Sequence, residues 1–108
     1  MEIKNISLPK LNNLSPTLES TAFKLMEETG ELAQAIGKLR GMSGEKKELD
    51  EKQVVEVIAK ELLDVAQTAI SMMFVLEEQY NVDINDIQKQ HIEKLKEKGY
   101  LGGMKKIK

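Results

Sequence analysis

The chain has 108 residues, no cysteine, no tryptophan and a net charge of −2 at pH 7. This length suits one domain over residues 1–108, and the lack of cysteine excludes disulfides and zinc–thiolate sites. The charges of both signs are spread along the chain and form no basic patch for nucleic acid, and no apolar run approaches the roughly 20 residues of a membrane span. We therefore expect a cytoplasmic domain without a signal peptide, a nucleic-acid partner or a membrane partner.

The first long helix is predicted to follow an irregular segment, residues 1–14. Ser15 and Pro16 indicate its start, because a hydroxyl can cap a helix and proline suits the first helical position. Gly41 is expected to end it. Its apolar residues recur at helical spacing and are Leu18, Ala22, Leu25, Leu32, Ile36 and Leu39.

A second long helix is predicted after a polar loop at residues 41–50. Asp50 and Gln53 resemble a capping box at its start. A turn at residues 81–85 then leads to a third helix over residues 84–98, with Asp83 as its cap and Gly99 at its end. Residues 101–108 are expected to be irregular. The apolar residues of the second helix are Val54, Ile58, Leu62, Val65, Ala69, Met72, Met73 and Leu76.

These elements predict an all-α fold, a helical bundle of two long antiparallel helices and a shorter third. A chain of this length buries only a modest core by itself. We therefore expect a homodimer or homotetramer, in which a second subunit completes the bundle.

Two pairs of carboxylates occupy matching places on the long helices. Glu28 and Glu31 are three residues apart on the first helix, and Glu61 and Asp64 are three apart on the second. With Leu25 and Ile58 as the centres of the apolar stripes, each pair lies roughly 60° and 120° to the same side. Antiparallel packing would then bring four carboxylates together.

A divalent cation is one remedy for four converging negative charges. All-oxygen ligation favours Mg²⁺ or Mn²⁺ over zinc or copper. A di-iron bundle would need two Glu-x-x-His motifs, whereas the single histidine, His91, lies in neither pair. The simpler interpretation is that both pairs are solvated glutamates and aspartate on exposed helix faces.

The two motifs resemble a known family. The run EETGEL at residues 27–32, followed by ELLD at residues 61–64, is similar to the EExxE…ExxD signature of the MazG-like all-α NTP pyrophosphohydrolases. The resemblance covers roughly residues 15–100 and includes the basic closing segment HIEKLKEKGY. One departure is the spacer between the motifs, which is long for the family.

The resemblance implies a function, namely cleavage of a nucleoside triphosphate to the monophosphate and pyrophosphate by a Mg²⁺-dependent oligomer. It implies that Glu28, Glu31, Glu61 and Asp64 hold the metal. Glu31 or Glu27 would then act as the catalytic base. The residues expected to bind substrate are Lys94, Lys98, His91, Lys38, Lys24 and Tyr100.

Two alternatives remain open at this point. A phosphoribosyl-ATP pyrophosphatase uses similar carboxylate pairs on similar helices. In the other alternative the chain is a non-catalytic helical module that dimerises through its amphipathic helices. The sequence does not specify which nucleobase the substrate carries. Phe23 and Phe74 are interpreted as core residues.

Overall fold

The computed structural model describes residues 1–41 and 50–102, which form three helices and no strand. Helix α1 spans Leu18–Leu39, α2 spans Glu51–Tyr80 and α3 spans Ile84–Glu97. The all-α prediction is therefore confirmed. Of the predicted loop at residues 41–50, positions 42–49 lie outside the described residues, as do positions 103–108 of the tail. Within the described part of the chain, no helix combines the length and apolar character needed to cross a membrane.

The start of α1 differs from the prediction. The helix is capped by Thr17, whose hydroxyl accepts a hydrogen bond from the Ser20 N–H at 3.0 Å. The Ser20 hydroxyl in turn accepts a hydrogen bond from the Thr17 N–H at 2.8 Å. The predicted start at Ser15 and Pro16 is wrong, because this reciprocal cap satisfies two backbone donors that a start at Ser15 would leave free.

Replacing Thr17 by alanine is expected to destabilise the chain by about 1 kcal/mol, because the α1 cap is lost. Ser15→Ala is the matched control, and it should change the free energy of unfolding by less than about 0.5 kcal/mol. Urea denaturation of both variants measures the difference. Equal losses in the two variants would contradict the assignment of the cap to Thr17.

The other predicted helix ends are confirmed. The Asp50 carboxylate accepts a hydrogen bond from the Gln53 N–H at 2.8 Å and caps α2. The Asp83 carboxylate caps α3 by accepting from the Asp86 N–H at 3.1 Å. Gly41 and Gly99 follow α1 and α3 with φ of 70° and 79°, a left-handed conformation that favours glycine.

Helices α1 and α2 form an antiparallel hairpin. Gln79, at the end of α2, donates a hydrogen bond to the Pro16 carbonyl just before α1, so the start of one helix lies beside the end of the other. Helix α3 packs against α2 and makes no helix–helix contact with α1 among the described residues. The described fold is thus a helical hairpin with a third helix attached at one end.

The seam of the hairpin follows a seven-residue repeat. On α1 its buried residues are Thr21, Glu28 and Ala35. On α2 they are Val54, Thr68 and Val75. The half-buried Glu61 lies seven residues after Val54 and seven before Thr68, so it belongs to the same repeat. Leu25 and Ile58, the centres of the predicted apolar stripes, are only half-buried, so the seam within the chain lies to one side of both stripes. The carboxylates Glu28 and Glu61 lie in the seam itself.

Candidate metal centre

Three carboxylates meet where the seam positions Glu28 and Glu61 face each other. One carboxylate oxygen from each of Glu28, Glu31 and Glu61 lies within 4.8 Å of the other two. Ligands on opposite sides of a Mg²⁺ ion are about 4.2 Å apart, since each Mg–O bond is about 2.1 Å. The oxygens therefore lie close to the spacing that a shared divalent ion requires, and the all-oxygen donor set suits Mg²⁺ or Mn²⁺.

Two carboxylate oxygens at this centre are buried without a partner. They are one Oε2 atom each of Glu28 and Glu61, and neither has a hydrogen-bond partner within the described structure. A buried carboxylate oxygen is costly unless it is hydrogen-bonded, protonated or bound to a cation. These two oxygens are therefore an independent indication that a cation belongs between the helices.

Lys24 offsets part of the negative charge. Its ammonium lies 3.0 Å from Oε1 of Glu28 and 3.2 Å from Oε1 of Glu27. The hydrogen bonds to Glu28 and then to Glu27 raise the pKa of Lys24 above its ordinary 10.5, so it stays charged. One lysine cannot neutralise all the nearby carboxylates.

Glu31 is repelled by the negative charges of the neighbouring carboxylates. Its pKa is raised above the ordinary 4.5, first by the negative charge of Glu28, then by partial desolvation and by the charge of Glu61. A folded chain with a raised carboxyl pKa binds a proton more tightly than the unfolded chain does. The contribution of Glu31 to stability is thus present below pH 4.5 and is lost as the pH rises through the raised pKa.

Glu31→Gln is accordingly expected to stabilise the metal-free chain at pH 7.5, because it removes a repelled charge. Near pH 4 the variant and the wild type should have similar stability, because the wild-type carboxyl is then protonated. Urea unfolding in EDTA at both pH values measures the difference. Glu56→Gln, at an exposed position on α2, is the control; an equal gain there would show that the effect is not local.

Asp64 lies at the edge of this centre. It is exposed one turn beyond Glu61 on α2 and lines a groove together with Glu28. It is not part of the group of oxygens within 4.8 Å of one another. Asp64 thus remains a predicted ligand, on the face of α2 that borders the groove.

Among the described residues, the predicted cations at α3 form no ion pair with the clustered carboxylates of their own chain. Lys94 and His91 are exposed on α3, and Lys98 is exposed at its C-terminal cap. Tyr100 is exposed beyond the end of α3, and Lys38 is exposed in the last turn of α1. Of the predicted substrate-binding residues, only Lys24 contacts the cluster.

The groove beside the cluster contains residues that the sequence analysis did not select. Phe74 is half-buried and lines the groove, so its interpretation as a core residue is wrong. Gln67, Ser71 and Glu78 also line it. These α2 residues recur at intervals of three and four from Asp64, a stripe that could have been found from the sequence. Lys10 also lines the groove, but it could not have been found from the sequence, because it lies in a segment without helical periodicity.

A helical hairpin with clustered carboxylates in its seam defines an all-α protein with a candidate divalent-metal site between two helices. The MazG nucleotide pyrophosphohydrolase domain matches residues 16–99 of the chain. The match covers α1, α2 and α3 completely, and the chain belongs to this family. Comparison with curated proteins and with solved structures gives no match.

Proposed function

We propose that the chain is a Mg²⁺-dependent nucleoside triphosphate pyrophosphohydrolase that cleaves an NTP or dNTP to the monophosphate and pyrophosphate. The observation that carries the proposal is the cluster of Glu28, Glu31 and Glu61, each with one oxygen within 4.8 Å of the other two. Membership of the nucleotide pyrophosphohydrolase family supports the reaction class. Clearance of surplus nucleotides is the role that this reaction suggests.

The residues divide into ligands and a base. Glu28, Glu31, Glu61 and Asp64 would hold the metal, which when bound neutralises phosphate charge and polarises the phosphoryl group. In the hydrolysis, a water oxygen bonds to the α-phosphorus, the bond from that phosphorus to the bridging oxygen breaks, and pyrophosphate leaves. A carboxylate takes the water's proton. Glu31 could take this role through an oxygen that the metal leaves free, and Glu27 is the second candidate.

Phosphate charge also needs cations, and we propose that a second subunit brings some of them. Lys94 lies on α3 and Lys98 at its C-terminal cap, and α3 does not contact α1, the helix that carries Glu28 and Glu31. In a homodimer or homotetramer, the α3 lysines of one subunit could reach the triphosphate held by another, with His91 and Tyr100 nearby. Lys24 and Lys38 are the candidates from α1 of the same subunit.

The reaction is tested by identifying its products. The chain is incubated with a panel of dNTPs and NTPs, in Mg²⁺ and in EDTA, and the products are resolved by ³¹P NMR. We expect monophosphate and pyrophosphate in equal amounts, formed only with the metal. Release of inorganic phosphate and a diphosphate instead would overturn the proposed bond cleavage.

The same assay separates the two alternatives. Turnover of phosphoribosyl-ATP in preference to every nucleoside triphosphate would assign the chain to the pyrophosphatase of that substrate. No turnover of any of these compounds, together with no effect of Mg²⁺ on the melting temperature, would favour a non-catalytic helical module.

A further inference from the structure

A groove of about 720 Å³ runs from the carboxylate cluster along the hairpin. One wall is the segment of residues 10–17, and the other walls are the first half of α1 and the second half of α2. Glu28 and Asp64 line it at the metal centre, and Phe74 and Glu78 line it further along α2. Its volume lies within the range of about 300–1,000 Å³ for pockets that bind small molecules.

The N-terminal wall of the groove is fastened at both ends. The Gln67 side-chain amide donates to the Pro9 carbonyl at 2.9 Å, and the Gln79 amide donates to the Pro16 carbonyl at 3.2 Å. Between them the Lys10 ammonium forms an ion pair with the Glu78 carboxylate. Side chains of α2 thus hold an otherwise irregular segment in place, which indicates a preformed groove.

We propose that this groove binds the nucleoside of the substrate, with the base between Phe74 and Lys10 and its polar edge at Glu78. The inference rests on the proposed function, because it assumes that the α-phosphate lies beside Asp64, the predicted ligand that borders the groove. Phe74 is ten residues beyond Asp64, about 15 Å along the helix, and helical side chains lean back toward the N-terminus. The ring is therefore directed toward the metal end of the groove.

Phe74 offers a flat surface, and aromatic rings bind bases by stacking. The Lys10 ammonium lies 6.0 Å from the centre of the ring. A base between them needs about 7 Å, two van der Waals separations of about 3.5 Å, so Lys10 must move by about 1 Å. The lysine stem is flexible and the side chain is 49% exposed, so a shift of this size is readily made.

Polar groups in the groove can complete the recognition. The Ser71 hydroxyl oxygen is buried and has no hydrogen-bond partner among the described residues, so it is available to a sugar hydroxyl. The Glu78 carboxylate only accepts hydrogen bonds. It therefore favours bases with an exocyclic amino group over thymine and uracil, which have carbonyl oxygens in place of such a group.

The experiment compares Phe74→Leu with Phe23→Leu. Phe74→Leu keeps an apolar side chain but loses the stacking surface, and we expect KM for all dNTPs to rise about tenfold with kcat nearly unchanged. Phe74→Trp should restore the wild-type KM. Phe23 is 71% exposed and outside the groove, so Phe23→Leu should leave both constants unchanged. Glu78→Gln should lower the preference for amino-bearing bases over thymine and uracil.

Binding without turnover separates this inference from the proposed reaction. Deoxynucleoside monophosphates are titrated in EDTA, and NMR shift changes are followed at Phe74 and Ser71. Changes at these residues, weakened in Phe74→Leu, support the subsite even if no triphosphate is hydrolysed. Hydrolysis by the wild type with an unchanged KM in Phe74→Leu would overturn the inference and leave the reaction intact. Shift changes confined to residues outside the groove would overturn it as well.

Discussion

Replacing Glu61 by glutamine is expected to lower kcat/KM for pyrophosphate release by at least about 100-fold. Glu61 lies in the seam and contributes one of the three clustered oxygens, so its loss would remove a proposed direct ligand. Changes that only reposition metal ligands already cost about 10–100-fold, and loss of a ligand should cost more. Pyrophosphate release measured across a range of Mg²⁺ concentrations gives the effect.

The same variant should not be less stable than the wild type in EDTA, because glutamine has the same shape and removes a charge that repels Glu31. This result would separate loss of the metal from loss of the fold. Glu56→Gln, at an exposed position on the same helix, is the matched control and should retain full activity. Full activity in Glu61→Gln would show that the cluster is not the catalytic centre.

Leu62→Glu is expected to convert an assembled protein to monomers. A compact chain of 12.2 kDa exposes about 6,000 Å², whereas this chain exposes 9083 Å². Its radius of gyration is 17.7 Å, against about 13 Å for a compact domain of this length. The excess surface exceeds the roughly 800 Å² per partner of a standard interface, so one chain leaves ample surface for a second copy.

Leu62 lies on the side of α2 that faces away from the groove and is 51% exposed. Its neighbours along that side, Val55, Met73 and Tyr80, are also exposed. A glutamate there would bury a charge in an interface between subunits. Light scattering should give at least twice the 12.2 kDa of one chain for the wild type, and 12.2 kDa for Leu62→Glu.

Gln34→Glu makes the same change in charge at an exposed polar position on α1. It is therefore the control for Leu62→Glu and should keep the mass of the wild type. A monomeric wild type would contradict the proposed assembly. It would also contradict the proposal that Lys94 and Lys98 of one subunit reach the triphosphate held by the carboxylates of another.

The sequence was sufficient for the helices, and three of the four carboxylates expected to converge, Glu28, Glu31 and Glu61, do lie together. Caps at Asp50 and Asp83 and a stop at Gly99 are local signals, and each is found where it was predicted. The pairing of Glu28 with Glu61 followed from their equal spacing in two antiparallel helices. The Thr17 cap was missed because Ser15 and Pro16 offered an equally good local pattern two residues earlier.

The burial pattern could not be obtained from the apolar stripes. Leu25 and Ile58 mark the most apolar directions of the two helices, yet both are only half-buried. Small side chains such as Thr21, Ala35 and Thr68 occupy the seam and let the helices pack closely. Apolar periodicity indicates which faces of a helix are buried, whether within one chain or between chains. It does not distinguish the seam within a chain from a surface between chains.

The groove was missed for a different reason. One of its walls is the irregular segment of residues 10–17, whose position depends on hydrogen bonds from Gln67 and Gln79. Such contacts join residues about 60 positions apart in the chain. No spacing rule relates them, so Lys10 and Phe74 could be associated only in the folded structure.

The measurement that tests the account most directly is anomalous diffraction from crystals grown with Mn²⁺ and a non-hydrolysable nucleotide. The account predicts a Mn²⁺ peak between the helices, within bonding distance of oxygens from Glu28, Glu31 and Glu61. A metal bound only by the phosphates, or at carboxylates elsewhere on the chain, would contradict the assignment of the seam as the metal centre.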